Sequence, residues 1–225
     1  MLTKSHSSAK TISPSLSLHH LAAAYLFIFT VWGFFRLLFR LPEELEELVL
    51  KPLIWLSPVI YILYIEKKSL PSIGWTIHRL RSALAWGLGL GVLFAAEGFL
   101  VNYLKFGHIA PPLSISPQSF YFLIVLSLVT AVSEETVFRG FFFSRLLEIG
   151  KSEILANITT SVSWTIIYLP IAIFIKHYDL PQLSIFLFLV FIFGIGSAFV
   201  YARCKNIAAP ILLHLLWSLP IVIFS

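Results

Sequence analysis

The stretch 133–140, Ser-Glu-Glu-Thr-Val-Phe-Arg-Gly, follows directly after the apolar run 120–132 and decides the fold. It places Glu134, Glu135 and Arg139 beside a segment that is apolar enough to cross a membrane. An ionised side chain at bilayer depth costs at least about 2.5 kcal/mol, so such residues usually face a protein interior or a wet cavity and mark function. We therefore expect this stretch to carry the chemistry of the protein.

The composition is that of an integral membrane protein. Of the 225 residues, 58% are hydrophobic and 12% are charged, and the mean hydropathy is +0.90, far above the balance of soluble domains. Each crossing needs about 20 apolar residues, so one helical bundle accounts for the length. The fold class predicted is an all-α polytopic membrane helical bundle with about seven transmembrane helices, forming one domain over 19–225 after a mobile N-terminal tail, 1–18.

Apolar runs separated by short polar segments define the predicted spans. The acidic segment 43–47 between the first two spans is typical of a solvated loop or short surface helix. In the fifth span Pro170 predicts an interruption, and in the third span Gly87 and Gly91 allow close approach of another helix. The predicted spans are 19–39, 48–65, 82–104, 120–148, 154–175, 183–202 and 207–224.

The positive charge predicts a membrane orientation. The formal charge of +5 would also suit a nucleic-acid-binding protein, but Lys and Arg lie between apolar runs, where they act as orientation signals. We therefore predict no nucleic-acid partner and contact with membrane lipid. Seven spans with the N-terminus in the cytoplasm put eleven of the 16 basic residues on the inner side. The lack of an organelle-targeting pattern favours a prokaryotic plasma membrane.

The charged residues of the central stretch divide into a pair and a remaining acid. On a helix Glu135 and Arg139 are four residues apart and share one face, so we expect an ion pair between them. Glu134 points about 100° away, since a helix has about 3.6 residues per turn. It is therefore predicted to be unpaired and able to take a proton from water. The alternative is a buried ion-pair cluster that only positions helices.

Further polar residues in the predicted spans are candidates for the same site. His214 and Ser218 lie four residues apart on the last span, so imidazole and hydroxyl can line one cavity. On the fifth span Tyr168 shares a face with Ser161 and Trp164, a pattern that packing alone also explains. In the third span Glu97 is a proton carrier, a partner of Arg139, or a carboxyl hydrogen-bonded to a neighbouring helix.

These motifs resemble a known family. The stretch 133–140 is similar to the Glu-Glu-x-x-x-Arg signature of the CAAX-processing and bacteriocin-processing membrane proteases, also called the Abi or type II CAAX prenyl endopeptidase family. The segments 196–203 and 206–214 are similar to that family's last helix pair, which ends in His-x-x-x-Asn. The resemblance covers roughly 120–220. Two positions differ: Tyr168 stands where the middle motif, Phe-x-x-x-His, has histidine, and Ser218 stands where asparagine is usual.

The resemblance implies a glutamate-dependent intramembrane endopeptidase that cleaves a membrane-presented peptide or protein. It makes Glu134 the general base, with Glu135 and Arg139 in support. It also implies that His214 orients the water or stabilises the oxyanion, in a cavity open to membrane and cytosol. Tyr168 can donate a hydrogen bond to that oxyanion, and Ser218 completes the candidate catalytic set.

Other functions and a metal remain open at the level of sequence. Two His and one Glu would resemble a zinc site, but only His214 aligns, so no cofactor is predicted and zinc stays the alternative. The other functions are a catalytically degenerate member that binds a membrane protein, and transport through a cavity lined by Glu97, Glu134 and Arg139.

Overall fold

The computed structural model describes residues 14–39, 41–108 and 117–224, which form helices and connecting turns without a strand. Six helices are long and apolar enough to cross a membrane, and the last is a shorter apolar helix. The predicted all-α membrane bundle is confirmed. The helices are α1 Pro14–Leu38, α2 Glu43–Ile65, α3 Leu80–Phe106, α4 Gln118–Gly150, α5 Glu153–Ile175, α6 Leu180–Cys204 and α7 Ala208–Phe224.

The predicted N-terminal tail, 1–18, lies mostly outside the described residues. Helix α1 begins at Pro14, before the predicted end of the tail at Leu18. The predicted loop before the fourth span also lies partly outside them, since 109–116 are not described.

Three helices depart from regular α geometry beside polar residues. Helix α2 has a π-helical segment at Glu46–Leu50, and α4 has one at Thr136–Phe143. Helix α5 breaks after Ile167 and continues as a π-helical segment, Ile171–Ile175. The break is the interruption predicted from Pro170, which lacks the amide hydrogen that a regular helix needs. π-helical segments are frequent at functional sites.

Helix α7 is held against α3 by glycine. A Cβ atom on Gly87 would lie 2.7 Å from the carbonyl oxygen of Ala209, and one on Gly91 would lie 2.6 Å from Leu216 Cδ1. Small residues let two helix backbones approach closely, so the packing role predicted for this glycine pair is confirmed. The contact fixes the position of α7, the helix that carries His214.

The acidic segment between the first two spans is not solvated throughout, which corrects the prediction. Glu43 and Glu44 are exposed, but Glu46 and Glu47 are buried within the start of α2. The reason is ion pairing: Arg36 Nε lies 2.7 Å from Glu46 Oε2. Buried acids usually require such a partner.

Two basic residues that were counted as orientation signals also lie inside the bundle. Lys51 and Arg145 are 4% and 1% exposed. Arg145, which we expected at the wet end of the fourth span, has Nη2 2.9 Å from Glu66 Oε2. These charges stabilise contacts between helices and carry less weight as orientation signals.

Candidate active site

Helix α4 carries both central carboxylates into the middle of the bundle. Glu134 and Glu135 are each 0% exposed. Because neighbouring helix positions differ by about 100°, the two side chains point toward different helices. Glu134 meets α2 and α5, whereas Glu135 meets α6 and α7.

Glu134 is not unpaired, which corrects the prediction. Lys51 Nζ lies 2.5 Å from Oε1, and Trp164 Nε1 donates to Oε2 at 2.9 Å. The Tyr168 hydroxyl lies 2.8 Å from each carboxylate oxygen. A carboxylate has about four lone-pair sites. Three donors make four contacts, two with each oxygen, so a water molecule that donates to Glu134 replaces one of them.

Glu135 has the partner that its spacing predicted. Arg139 Nε lies 3.3 Å from Glu135 Oε2, so the i, i+4 ion pair is confirmed. The Ser197 hydroxyl donates to Glu135 Oε2 at 2.6 Å. His214 Nδ1 lies 2.8 Å from Glu135 Oε1. Glu135 thus joins α4, α6 and α7 through one carboxylate.

Arg139 is fully buried behind this carboxylate. Its Nη2 donates to the carbonyl oxygen of Gly194 at 3.2 Å, and its guanidinium carbon lies 4.7 Å from the centre of the Trp164 ring. That ring also donates to Glu134. Trp164 therefore separates the two carboxylate environments while contacting a charged group on each side.

A cavity of about 440 Å³ adjoins Glu134. Its polar lining includes four of the predicted catalytic residues, while Glu135 and Arg139 lie behind its wall. The four are Glu134, Tyr168, His214 and Ser218. The Ser218 hydroxyl donates to the carbonyl oxygen of Leu215 at 2.8 Å, within its own helix.

The rest of the cavity wall is mainly aromatic and aliphatic. Its side chains come from α1, α2, α4, α5, α6 and α7, and they surround the polar residues with apolar surface. Examples are Trp32, Trp55, Leu126, Ile167, Phe186 and Trp217. An apolar pocket with a few convergent polar groups is the usual form of a small-ligand or active site.

The cavity opens toward one end of the bundle. The buried Glu134 marks its inner end, and exposed Glu43 and Lys176 line its outer end. These two residues lie where α2 begins and α5 ends, on the side opposite the start of α1. The predicted cytoplasmic N-terminus would put this mouth outside the cytoplasm, whereas the resemblance implies a cytosolic mouth. The two predictions exclude one another.

Lys51, Ser197 and Glu47 were missed as site residues. Lys51 lies near the start of the predicted span 48–65 and was counted among the orientation signals, although the cost of a charge at depth applied to it as to Glu134. Glu47 was assigned to the solvated segment. The serine in α6 gave no signal, since small polar residues are common in membrane helices.

Glu97 does not join the site. The Trp217 indole Nε1 donates to Glu97 Oε2 at 3.3 Å, and neither Glu97 nor Arg139 is in the cavity lining. The hydrogen-bonded carboxyl is therefore the alternative that the structure supports for Glu97, and the cavity beside Glu134 is not lined by all three residues of the transport hypothesis. Ser161 donates to Asn157 Oδ1 at 3.2 Å, a contact within α5.

The donor set does not suit zinc. In the described part of the chain, no three His, Cys, Asp or Glu side chains are grouped so that they could hold a metal ion. Where the resemblance expects a second histidine, Tyr168 contacts Glu134, and the Lys51 ammonium lies against the same carboxylate. A positive group at that position repels a divalent cation.

Comparison with known proteins places most of the site in one family region. Residues 116–219 match the model of the Rce1-like family, described as type II CAAX prenyl endopeptidase Rce1-like. The resemblance stated from the motifs is confirmed over these residues, which run from α4 to α7. The match includes the six candidate catalytic residues but not α2, which supplies Lys51.

One curated protein with a similar sequence is "Putative membrane peptidase YdiL" of Bacillus subtilis (strain 168). The two sequences are 29% identical over 163 residues, which is 65% of this chain and 61% of the relative. The chain thus spans less than two thirds of that protein's length. No solved structure matches the chain.

Proposed function

We propose that this protein is an intramembrane endopeptidase in which Glu134 activates water for attack on a peptide bond. The observation that carries the proposal is the position of Glu134, which ends an apolar cavity and is held by three donors, one of whose contacts the attacking water would replace. The match to a prenyl endopeptidase family and to a protein named as a membrane peptidase supports this reaction class.

Glu135 determines how His214 acts. A carboxylate only accepts hydrogen bonds, so the proton of a neutral imidazole lies on Nδ1, which faces Glu135 Oε1. Nε2 is then an acceptor. With its proton on Nδ1, a neutral His214 suits water orientation, one of the two roles that the resemblance implies, and does not donate to an oxyanion.

In the proposed reaction one proton passes from water to Glu134 and then to the leaving nitrogen. Glu134 takes a proton from the water whose second hydrogen is held by His214 Nε2, while the water oxygen forms a bond to the carbonyl carbon. The resulting oxyanion needs a donor, and Tyr168 offers a hydroxyl in the same cavity. The protonated Glu134 then gives its proton to the leaving nitrogen as the C–N bond breaks. A well-placed general base contributes about 100- to 10,000-fold to the rate.

The substrate class follows from the cavity and its surroundings. Aromatic and aliphatic walls suit an apolar segment, and candidate membrane spans surround the site. We therefore propose a peptide or protein that is anchored in the bilayer and presents its scissile bond at the cavity mouth. Membrane lipid and this substrate are the proposed partners.

The central experiment compares wild type with Glu134→Gln after reconstitution in vesicles. The probe is a quenched fluorescent peptide with a farnesylated Cys-aliphatic-aliphatic-X end, tested beside the same peptide with a palmitoyl anchor. In H₂¹⁸O the wild type should label the new C-terminal carboxyl, and the variant should lose at least about 100-fold of turnover. Equal turnover by both proteins would exclude Glu134 as the base.

Orientation needs a separate test. Four ion-paired residues can be left out of the count of basic residues on the two sides of the membrane. Two, Arg139 and Arg145, belong to the side of the N-terminus, and two, Arg36 and Lys51, belong to the opposite side. The remaining basic residues are still more numerous on the side of the N-terminus. We therefore propose a mouth that faces away from the cytoplasm of a prokaryotic plasma membrane. Labelling of Lys176→Cys, in a Cys204→Ala background, by an impermeant maleimide on intact cells should succeed. Labelling only after lysis would reverse the orientation.

A catalytically inactive member that binds a membrane protein is the second candidate. It is favoured by the complete burial of Glu134 and by the changes at Tyr168 and Ser218. For such a protein, cross-linking should capture the same membrane protein with wild type and Glu134→Gln, and neither should incorporate ¹⁸O. Hydrolysis that depends on Glu134 would exclude this candidate.

A further inference from the structure

We infer that Lys51 is a catalytic residue, whose ammonium group donates a hydrogen bond to the substrate carbonyl oxygen as that oxygen becomes negative. The inference rests on the proposed function and adds a residue from α2, outside the family match at 116–219.

The geometry around the ammonium leaves one donor unused. Lys51 Nζ lies 2.5 Å from Glu134 Oε1 and 2.7 Å from Glu47 Oε2. An ammonium group has three N–H donors, so these two carboxylates leave one for a ligand. Lys51 is 4% exposed and lines the cavity that contains Glu134.

Other groups hold the ammonium in place. The Thr130 hydroxyl donates to Glu47 Oε2 at 2.7 Å, and Arg36 Nη1 lies 3.6 Å from Glu47 Oε1. The ammonium nitrogen lies 5.4 Å from the centre of the Trp55 ring and 5.7 Å from that of the Trp32 ring. A donor fixed in this way needs little reorganisation when charge develops beside it.

The movement of charge during the reaction suits a cation at this position. Before attack the negative charge lies on Glu134, next to Lys51. When Glu134 takes the proton of water, it becomes neutral and the negative charge appears on the carbonyl oxygen. Lys51 therefore keeps Glu47 as one negative neighbour throughout, while its other negative neighbour changes from the Glu134 carboxylate to the oxyanion. The proton balance is that of the proposed reaction, since Lys51 neither gains nor loses a proton.

The two candidate donors implied by the family motifs, Tyr168 and His214, bring no positive charge to the oxyanion in this arrangement. Neutral His214 offers Nε2 as an acceptor, because Nδ1 faces Glu135. The histidine expected from the family motif is replaced by Tyr168, whose single hydroxyl proton is shared between the two oxygens of Glu134. Lys51 supplies a positive donor directly beside Glu134.

The test measures kcat and KM separately with the farnesylated quenched peptide. Lys51→Met should lower kcat by roughly 100- to 1000-fold, as expected for loss of an oxyanion donor, with little change in KM. Lys51→Arg, which retains charge and donors, should recover part of the loss. Lys68→Met is the matched control, because that lysine pairs with Glu148 in an exposed position away from the cavity. Its kcat should equal that of wild type.

A chemical rescue separates catalysis from folding. Cys204 is the only cysteine of the chain, so Lys51→Cys in a Cys204→Ala background gives one target for bromoethylamine. The product, a thioether analogue of lysine, should restore turnover. The amine of this analogue is a weaker base than that of lysine. The decrease of turnover at alkaline pH should therefore begin at a lower pH than in the parent protein. If Lys51 had only a structural role, the pH at which this decrease begins would not change.

The outcomes for Lys51 and for the proposed function differ. If Glu134→Gln is inactive and Lys51→Met keeps kcat within about threefold of wild type, the role of Lys51 is wrong and the function stands. If wild type and Glu134→Gln hydrolyse the peptide equally, the proposed function fails. If Lys51→Met does not fold, Lys51→Met with Glu47→Gln removes a cation and an anion together. Normal kcat in that double variant would overturn the inference.

Discussion

Glu134 and Glu135 are neighbours of the same residue type, and both are fully buried, yet their surroundings differ. Each carboxylate contacts one cation and further hydrogen-bonding side chains. The cation of Glu135 is Arg139, on the same helix, whereas that of Glu134 is Lys51, from another helix. The first environment follows from local spacing and the second from tertiary packing. Only the second adjoins the cavity.

The largest expected effect distinguishes the two carboxylates by stability. Among the described residues the ion pair of Arg139 is with Glu135, so Glu135→Ala leaves a buried guanidinium without its carboxylate. We expect the free energy of unfolding to fall by about 3–5 kcal/mol. Glu134→Gln should cost less, because Lys51 keeps Glu47 as a partner. Thermal unfolding in detergent, followed by circular dichroism, measures both, and an equal or larger loss for Glu134→Gln would contradict the comparison.

The next effect concerns Tyr168, the neutral donor to Glu134 that lines the cavity. Tyr168→Phe removes a hydroxyl that contacts both oxygens of Glu134, so kcat should fall by about 100-fold. Tyr25→Phe is the matched control. The Tyr25 hydroxyl donates to the backbone carbonyl oxygen of Ser163, which lies on α5, the helix that also carries Tyr168. Turnover of the farnesylated peptide is measured for both variants, and we expect the loss with Tyr168→Phe alone. A similar loss in both variants would assign Tyr168 to packing rather than to catalysis.

A smaller effect tests how the helix of His214 is positioned. Gly87→Leu places a side chain against the backbone of Ala209 and should lower the free energy of unfolding by about 1–3 kcal/mol. Gly89→Leu is the control, since a Cβ there has no neighbour within 4 Å. We expect turnover to fall with Gly87→Leu and to stay unchanged with Gly89→Leu. Unchanged stability of both would mean that α3 does not fix α7.

The smallest expected effect is that of metal removal. Treatment of the reconstituted protein with EDTA and 1,10-phenanthroline should change turnover by less than about twofold, because Lys51 and Tyr168 surround Glu134 with donors rather than metal ligands. Elemental analysis of the purified protein provides an independent measurement. Stoichiometric zinc, together with loss of turnover on chelation, would contradict this prediction.

The sequence allowed the architecture to be predicted because membrane crossing imposes length and apolarity on each helix. It also allowed the pair Glu135–Arg139 to be predicted, since a four-residue spacing puts both side chains on one face. The predicted convergence of Tyr168 and His214 with Glu134 came from the resemblance, and the cavity lining brings them together. No local pattern, in contrast, specified that His214 would contact Glu135.

The two missed charges, Lys51 and Glu47, share one physical cause. A charge near the end of an apolar run can lie in a loop or turn into the bundle, and the choice depends on a partner distant in sequence. Glu47 and Thr130 are 83 residues apart, yet they form a hydrogen bond that helps to fix Lys51. The π-helical segment in α4 was also not predicted, because its sequence is compatible with an ordinary helix.

The spacing of Glu47 and Lys51 has a consequence for how the protein enters the membrane. During synthesis α2 is completed long before α4, so Lys51 is inserted when Glu134 does not yet exist. Glu47 lies four residues earlier on the same helix and pairs with Lys51 directly. The two charges can therefore enter the bilayer as a neutral unit, which lowers the cost of insertion. Arrival of α4 then adds Glu134 to this pair, which persists in the complete site.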